Sequence, residues 1–169
     1  IFTLKNGLTV IVVENKKLPT FSLRISIDNP PTNEGDKSGL SQLSSALFGE
    51  GSKNVSKDVF NEEVDYLGAT ISMGMGFAYA NGLSKHKERI IELLSDAALS
   101  PNFDQEELDK EKDKLITGLK SEENSPAAIA QRVTGILTYS TDHPYGEFST
   151  EESINNVTIN DIQANYEQM

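Results

Sequence analysis

The pattern of apolar and polar positions divides the chain into short β segments and a longer series of helices. Residues 2–14 read as a β-hairpin whose two β-rich arms meet at Asn6-Gly7, a pair that supplies the positive φ values of a type I′ turn. Over residues 21–28, Phe21, Leu23, Ile25 and Ile27 alternate with Ser22, Arg24 and Ser26, and this period of two marks a strand with one face in a core. Pro19 keeps the preceding loop out of the sheet, and Asn29-Pro30-Pro31 ends the strand. From Gly39 the period changes. Leu40, Leu43 and Leu47, with Ala46 beside them, recur at spacings of three and four and line one face of a helix. Asp36 or Ser38 is expected to cap its start, and Gly49 or Gly51 to end it.

A second helix is expected to be capped by Ser56, carries Val59, Phe60, Val64 and Leu67, and ends at Gly68. Residues 69–76 and 77–84 read as two strands with a bend or bulge allowed by Gly74 and Gly76, and Met73, Met75 and Phe77 read as core filling. Helical spacing resumes over residues 83–99 through Ile90, Leu93, Leu94 and Ala97, and stops at Ser100-Pro101. Asp104 opens the next helix, with Glu107 three residues on in a capping-box relation, and that helix runs to about Ser121. Ser125-Pro126 starts another, whose face of Ala127, Ala130, Val133, Ile136 and Leu137 is expected to allow close packing. A short helical turn at residues 151–155 precedes a last helix capped by Thr158 and Asp161, with Ile162 and Tyr166 four apart.

Composition removes several function classes. The 169 residues fit one domain able to bury a core, and there is no Cys to form a disulfide or a thiolate metal site. The two histidines, His86 and His143, lie too far apart in sequence to form a local metal-binding pair. A net charge of −11 argues against nucleic acid and anionic membrane surfaces, because both require clustered Lys and Arg. No run of about 18 apolar residues is present to span a membrane. The alternation of acidic residues with Lys around residues 104–111 reads as a solvated helix face. The chain opens at Ile1 and closes within a helical pattern, so it reads as a trimmed piece.

Five phrases, in order along the chain, carry a resemblance. They are Leu4-Lys5-Asn6-Gly7-Leu8-Thr9-Val10, Lys17-Leu18-Pro19, the helix framed by Gly39-Leu40 and Gly51-Ser52, Asp65-Tyr66-Leu67-Gly68-Ala69, and His143-Pro144-Tyr145-Gly146. Together they resemble the pitrilysin/insulinase zinc peptidases, which include the mitochondrial processing peptidases. The resemblance implies an α+β domain, one antiparallel sheet packed against helices, of the LuxS/processing-peptidase-like metallohydrolase fold. It implies that residues 1–169 form the N-terminal domain and most of the first of two similar halves, cut before its last elements.

In active members of that family the first helix carries an inverted His-x-x-Glu-His motif. Two imidazoles four residues apart grip one Zn²⁺, and the carboxylate between them polarises the attacking water. Aligned on the Gly39-Leu40 frame, these positions hold Gln42, Ser45 and Ala46, an amide, a hydroxyl and a methyl group. The third ligand of the family is a Glu seven residues after another Glu. Counted from Glu111 it falls on Gly118, with Glu122 about one turn further along.

The resemblance therefore implies a homologue with no catalytic residues and no zinc, a pseudoenzyme that helps enclose a chamber for a peptide or unfolded polypeptide. Its partner would be a family member with the intact motif, in a hetero- or homodimer, and an acidic chamber would attract basic peptides. Two alternatives remain: a zinc peptidase with displaced ligands, for which Glu122 and His143 are the candidates, and a purely structural assembly subunit. A cell-envelope or periplasmic location is suspected for a bacterial source.

Overall fold

In a computed structural model that describes residues 1–49 and 51–169, the fold is α+β, with strands β1 (Phe2–Thr3), β2 (Thr9–Val10), β3 (Thr20–Ser26), β4 (Thr70–Gly74) and β5 (Phe77–Leu83). The helices are α1 (Leu40–Leu47), α2 (Lys57–Tyr66), α3 (Lys87–Leu99), α4 (Gln105–Glu122), α5 (Pro126–Tyr139), α6 (Glu151–Asn156) and α7 (Ile159–Glu167). Single 3-10 turns precede α1 and α3, at Gly35–Lys37 and Ser84–His86. No helix among the described residues is long and apolar enough to cross a membrane.

The strands form two separate sheets rather than one. β3, β5 and β4 make an antiparallel sheet in that order, and β1 pairs only with β2. The first hairpin is shorter than its sequence suggests, and its turn differs from the expected type. Leu4 N–H donates to Leu8 C=O and Gly7 N–H to Leu4 C=O, which closes a three-residue loop. The positive φ of 89° falls on Gly7 alone, and Asn6 instead accepts a hydrogen bond from Leu8 N–H. One left-handed residue after a turn is the bulge form of a hairpin loop, which needs glycine at a single position.

Two apolar clusters hold the layers together. In the first, the alternation of β3 turns Phe21, Leu23 and Ile25 inward toward α2 and α3, where Phe60, Ile90, Leu93, Leu94 and Ala97 are buried. The central strand β5 presents Ala78, Ala80 and Gly82 to α3, and a Cβ on Gly82 would fall only 2.6 Å from Ile90 Cδ1. Small residues on the middle strand thus let the helix approach. In the second cluster Leu43 and Leu47 of α1 are buried with Leu108 of α4, Ile154 of α6, and Val157 and Ile162 near and in α7. Phe103 packs against both clusters, and its ring meets Tyr166 edge-on, with centroids 5.6 Å apart.

Local capping follows the sequence in part: Ser56 stands at the N-cap position of α2, but its side chain makes no capping hydrogen bond. Asp104 accepts from Glu106 and Glu107 N–H, although Glu107 turns away to Lys57 and Lys110 instead of closing a box. Ser125 caps α5 with Pro126 at its first position, and Thr158 and Asp161 close a full capping box on α7. The expected packing of α5 is not found. No residue of α5 is buried, and Leu137 remains 81% exposed. An apolar stripe predicts that a helix has an inner face, but it does not guarantee that anything lies against that face.

This arrangement fixes which leucines carry stability. Leu108→Ala is expected to cost about 2 to 5 kcal/mol in urea unfolding, because it opens a cavity in a fully enclosed cluster. Leu137→Ala should stay within about 0.5 kcal/mol. Acid unfolding has a matching expectation. Hydrogen bonds from Lys57 and then Lys110 hold the Glu107 carboxyl at about 2, below its ordinary 4.5. A carboxyl depressed by folding stabilises above its unfolded pKa, and that contribution is lost as the pH falls from about 4.5 to about 2. Glu107→Gln should therefore flatten the fall in unfolding midpoint across that window and leave its slope near pH 7 unchanged.

Candidate functional site

The start of α1 is set by a residue outside it. Gly39 occupies the N-cap position with φ of 109° and no side chain to offer, so neither Asp36 nor Ser38 caps the helix. The Glu34 carboxylate reaches forward instead, and accepts from Gly39 N–H at 2.7 Å and Ser41 N–H at 2.8 Å. Its negative charge also meets the positive end of the helix dipole. The Glu147 carboxylate in turn accepts from Glu34 N–H at 2.9 Å and Gly35 N–H at 2.5 Å. Lys37 pairs with Asp161 at 2.6 Å, and Asn165 donates to Ser44 Oγ at 2.9 Å, which ties α1 to α7.

With α1 fixed, its helical repeat decides which side chains share a face. Leu43 and Leu47 turn into the second cluster, and Gln42 and Ala46, also four apart, line the adjoining face. On α4, Glu111, Gly118 and Glu122 fall along one face in the same way. The two faces bound a single open pocket of about 450 Å³, floored by Leu43, Leu115 and Leu119. The structure thus brings together Gln42, Ala46, Gly118 and Glu122. Glu111 in the same wall is paired with Lys114, and a Cβ on Gly118 would meet nothing within 4 Å.

Ser45 and His143 are placed elsewhere. Ser45 does not line the pocket, and its Oγ accepts from Met75 N–H at 3.2 Å, just beyond β4. Ile27 N–H donates to Gly76 C=O, so even-numbered residues of β5 bond to β3 and odd-numbered ones to β4. Ile71 and Met73 therefore direct their backbone groups to the outer edge of β4, and the Met75 N–H continues that row. The Ser45 hydroxyl caps one donor of a free sheet edge beside the pocket.

His143 stacks on Tyr139 with centroids 5.3 Å apart and contacts the Tyr145 ring, and its Nδ1 accepts from Tyr145 N–H. It does not line the pocket that holds Glu122. Gly146 N–H donates to His143 C=O, and a Cβ on Gly146 would collide with the Ser140 carbonyl oxygen. The His143–Gly146 loop thus folds tightly against the end of α5, and Glu147 directly after it holds the backbone of Glu34 and Gly35, ahead of α1.

The donors in this pocket do not fit a zinc ion. Zinc sites use several imidazole, thiolate or carboxylate ligands converging at about 2 Å. Here Ala46 and Gly118 supply no donor, Gln42 supplies a neutral amide, Glu111 is engaged by Lys114, and Glu122 is left as a lone carboxylate. Among the described residues no three His, Cys, Asp or Glu side chains converge in a way that would hold a metal. Sequence reading missed the roles of Glu34 and Glu147, which lie 5 and 108 residues before and after Gly39 and act only through the folded chain. Removing the cap with Glu34→Ala should cost about 0.5 to 2 kcal/mol in urea unfolding. The same variant should raise amide exchange at Gly39 and Ser41 more than at Leu108.

Comparison with known proteins places this geometry in context. The model of the insulinase family, peptidase family M16, matches residues 9–141. The uncharacterized zinc protease YmxG of Bacillus subtilis is 24% identical over 160 residues, which is 90% of this chain and 39% of that protein. The crystal structure of a peptidase M16 inactive domain from Pseudomonas fluorescens superposes with a TM-score of 0.84 at 23% identity, covering 98% of this chain and 42% of its own. A protease from Helicobacter pylori superposes with a TM-score of 0.72 at 20% identity, covering 88% of this chain and 38% of its own. The chain therefore spans about two fifths of the length of these relatives. With the family model covering most of its residues and the α+β fold shared, the chain belongs to the insulinase family, peptidase family M16.

Proposed function

We propose that this chain is a non-catalytic M16 homologue, the N-terminal part of a partner subunit that helps to enclose a peptide-binding chamber. The observation that carries the reading is the pocket between α1 and α4. The helical faces that would present the metal ligands lie side by side, and they carry Gln42, Ala46 and Gly118 with Glu122 beside them, while Ser45, at the position of the catalytic carboxylate, turns to Met75. An amide, a methyl group and a bare backbone neither hold zinc nor activate water on it. Polar contact with a polypeptide remains within their chemistry. Beside them lies the outer edge of β4, where an extended peptide can add as a further strand through backbone hydrogen bonds. In this reading a family member with the intact motif supplies the catalysis, and this chain supplies part of the wall.

Two measurements test the proposal. Elemental analysis of the purified protein, before and after incubation with Zn²⁺ and desalting, should give well under one zinc per chain. Tight stoichiometric zinc, removable by a chelator with loss of peptide cleavage, would overturn the reading in favour of a peptidase with displaced ligands. Calorimetry of an extended basic peptide against the complex with the active partner supplies the second. The Gln42→Ala/Ser45→Ala variant should fold normally and bind the peptide roughly 5- to 150-fold more weakly, since each of two lost hydrogen bonds is worth about 0.5 to 1.5 kcal/mol. Unchanged affinity would remove the peptide role and leave an assembly subunit.

A further inference from the structure

Asparagine is followed by glycine twice in the chain, at Asn6-Gly7 and at Asn81-Gly82, and the fold places the two pairs in opposite circumstances. An asparagine side chain is open to attack by the backbone nitrogen of the next residue, and glycine, which lacks a Cβ, obstructs that approach least. Asn81 and Gly82 lie in β5, the middle strand of its sheet. Asn81 stands between Ser22 and Thr70, and Gly82 opposite Phe21. Even-numbered residues of β5 bond to β3, so the Gly82 N–H is held in that ladder. The Asn81 amide nitrogen donates to the Tyr79 hydroxyl at 2.8 Å, and Ile90 Cδ1 closes the space beside Gly82. A backbone nitrogen held in this way cannot turn toward the side chain that precedes it.

Asn6 and Gly7 form the exposed turn between β1 and β2, strands of two residues each. A two-stranded hairpin is marginally stable by itself, so such a turn opens locally without the rest of the fold. The Gly7 N–H donates to Leu4 C=O at 3.0 Å, an exposed bond that is released whenever the turn opens. Asn6 Oδ1 accepts from Leu8 N–H at 3.2 Å, which folds the side chain back along its own turn and draws electron density from the carboxamide carbon. Asn6 Nδ2 has no hydrogen-bond partner among the described residues. At Gly7, with φ of 89°, nothing lies within 4 Å of the position a Cβ would take.

We propose that Asn6 is a site of spontaneous covalent modification, converted through a succinimide to aspartate and isoaspartate, while the sheet preserves Asn81. The Gly7 backbone nitrogen attacks Asn6 Cγ and forms a new N–Cγ bond. The Cγ–Nδ2 bond breaks, and the Gly7 amide proton leaves with that nitrogen as ammonia. Water then opens the succinimide ring. Attack at Cγ gives aspartate, and attack at the Asn6 backbone carbonyl carbon gives isoaspartate, in which the main chain runs through Cγ. Either product adds a negative charge to a chain already at −11. Isoaspartate also lengthens by one methylene the main chain of a loop closed by Leu4 and Leu8, against the register that sets Phe2 opposite Val10 and Thr3 opposite Thr9. Its free α-carboxylate is the group that an S-adenosylmethionine-dependent isoaspartyl methyltransferase esterifies, so an enzyme of that class is the partner chemistry the modified turn fits. The inference is independent of the zinc question and of the proposed function, neither of which uses this turn.

The test follows the full-length product of the gene through incubation in mildly alkaline buffer, folded and in urea, with peptic digestion in acid and mass spectrometry of the peptides that hold Asn6 and Asn81. In the folded protein Asn6 should convert within about tenfold of its rate in urea and about 100-fold faster than Asn81, since reaction at Asn81 waits for the sheet to open. In urea the two should convert at similar rates. Isoaspartate, read as methyl transfer from labelled S-adenosylmethionine by an isoaspartyl methyltransferase, should exceed aspartate at Asn6. Asn6→Gln, whose longer side chain closes a less favoured ring, should remove that methyl-accepting signal from the folded protein. Conversion at Asn6 as slow as at Asn81 in the folded protein would overturn the proposal. So would aspartate without isoaspartate, the mark of direct hydrolysis with no succinimide. A methyl-accepting signal that survives Asn6→Gln would assign the reaction to another residue and overturn it too.

Discussion

The apolar seam between α1 and α4 is the constraint on which the rest of the structure depends. Leu43, Leu47 and Leu108 lose nearly all contact with solvent there, and burial of side chains of that size contributes about 1.5 to 3 kcal/mol each. Because a helix repeats every 3.6 residues, committing Leu43 and Leu47 to the seam also fixes the direction of Gln42 and Ala46 one residue before each. The same holds on α4, where Leu115 and Leu119 on the seam side set the direction of Gly118 and Glu122. The geometry of the pocket is therefore a by-product of packing. Its chemistry is not, since the residues on the pocket face contribute little to the seam and can change without disturbing it.

Polar contacts complete the placement of α1 where apolar burial does not suffice. Glu34 satisfies two of the amides that a helix start leaves unpaired, and Glu147 in turn holds the backbone that carries Glu34. The tight loop at His143–Gly146 positions Glu147, so a segment that touches no part of the pocket controls the attitude of the helix that forms it. This gives the loop a structural purpose, consistent with the engagement of the His143 ring by Tyr139 and Tyr145.

How much of this was legible in the sequence follows the range of each interaction. The strand β3 and the starts of α4, α5 and α7 depend on alternation or on a cap within three residues, and all stand where the pattern places them. The convergence of Gln42, Ala46, Gly118 and Glu122 was legible too, from spacings of four and seven once the resemblance had paired the two helices. The cap of α1 was not, because Glu34 is five residues from Gly39 and its own support comes from Glu147. Nor was the exposure of α5, because an apolar face records what a helix can bury and not what is present to bury it. Ser45 marks the same boundary. Spacing puts it beside Gln42 in a motif, and only the position of β4 shows that its hydroxyl turns to a strand edge.

The two edges of the sheet differ in how far their outward groups are already satisfied. On the β4 side the Met75 donor is already taken by Ser45, and α1 stands alongside, so an incoming chain must either displace that hydroxyl or stop short of it. Such an edge suits a short, reversible occupant whose contacts are partly satisfied in its absence. On the β3 side nothing caps the outward groups of Thr20, Ser22, Arg24 and Ser26 among the described residues. Thr20, Ser22, Arg24 and Ser26 are all exposed, so water satisfies these groups and the edge carries no built-in cap. The physical asymmetry thus separates a partly capped edge, beside α1, from an uncapped, solvated edge on the opposite side.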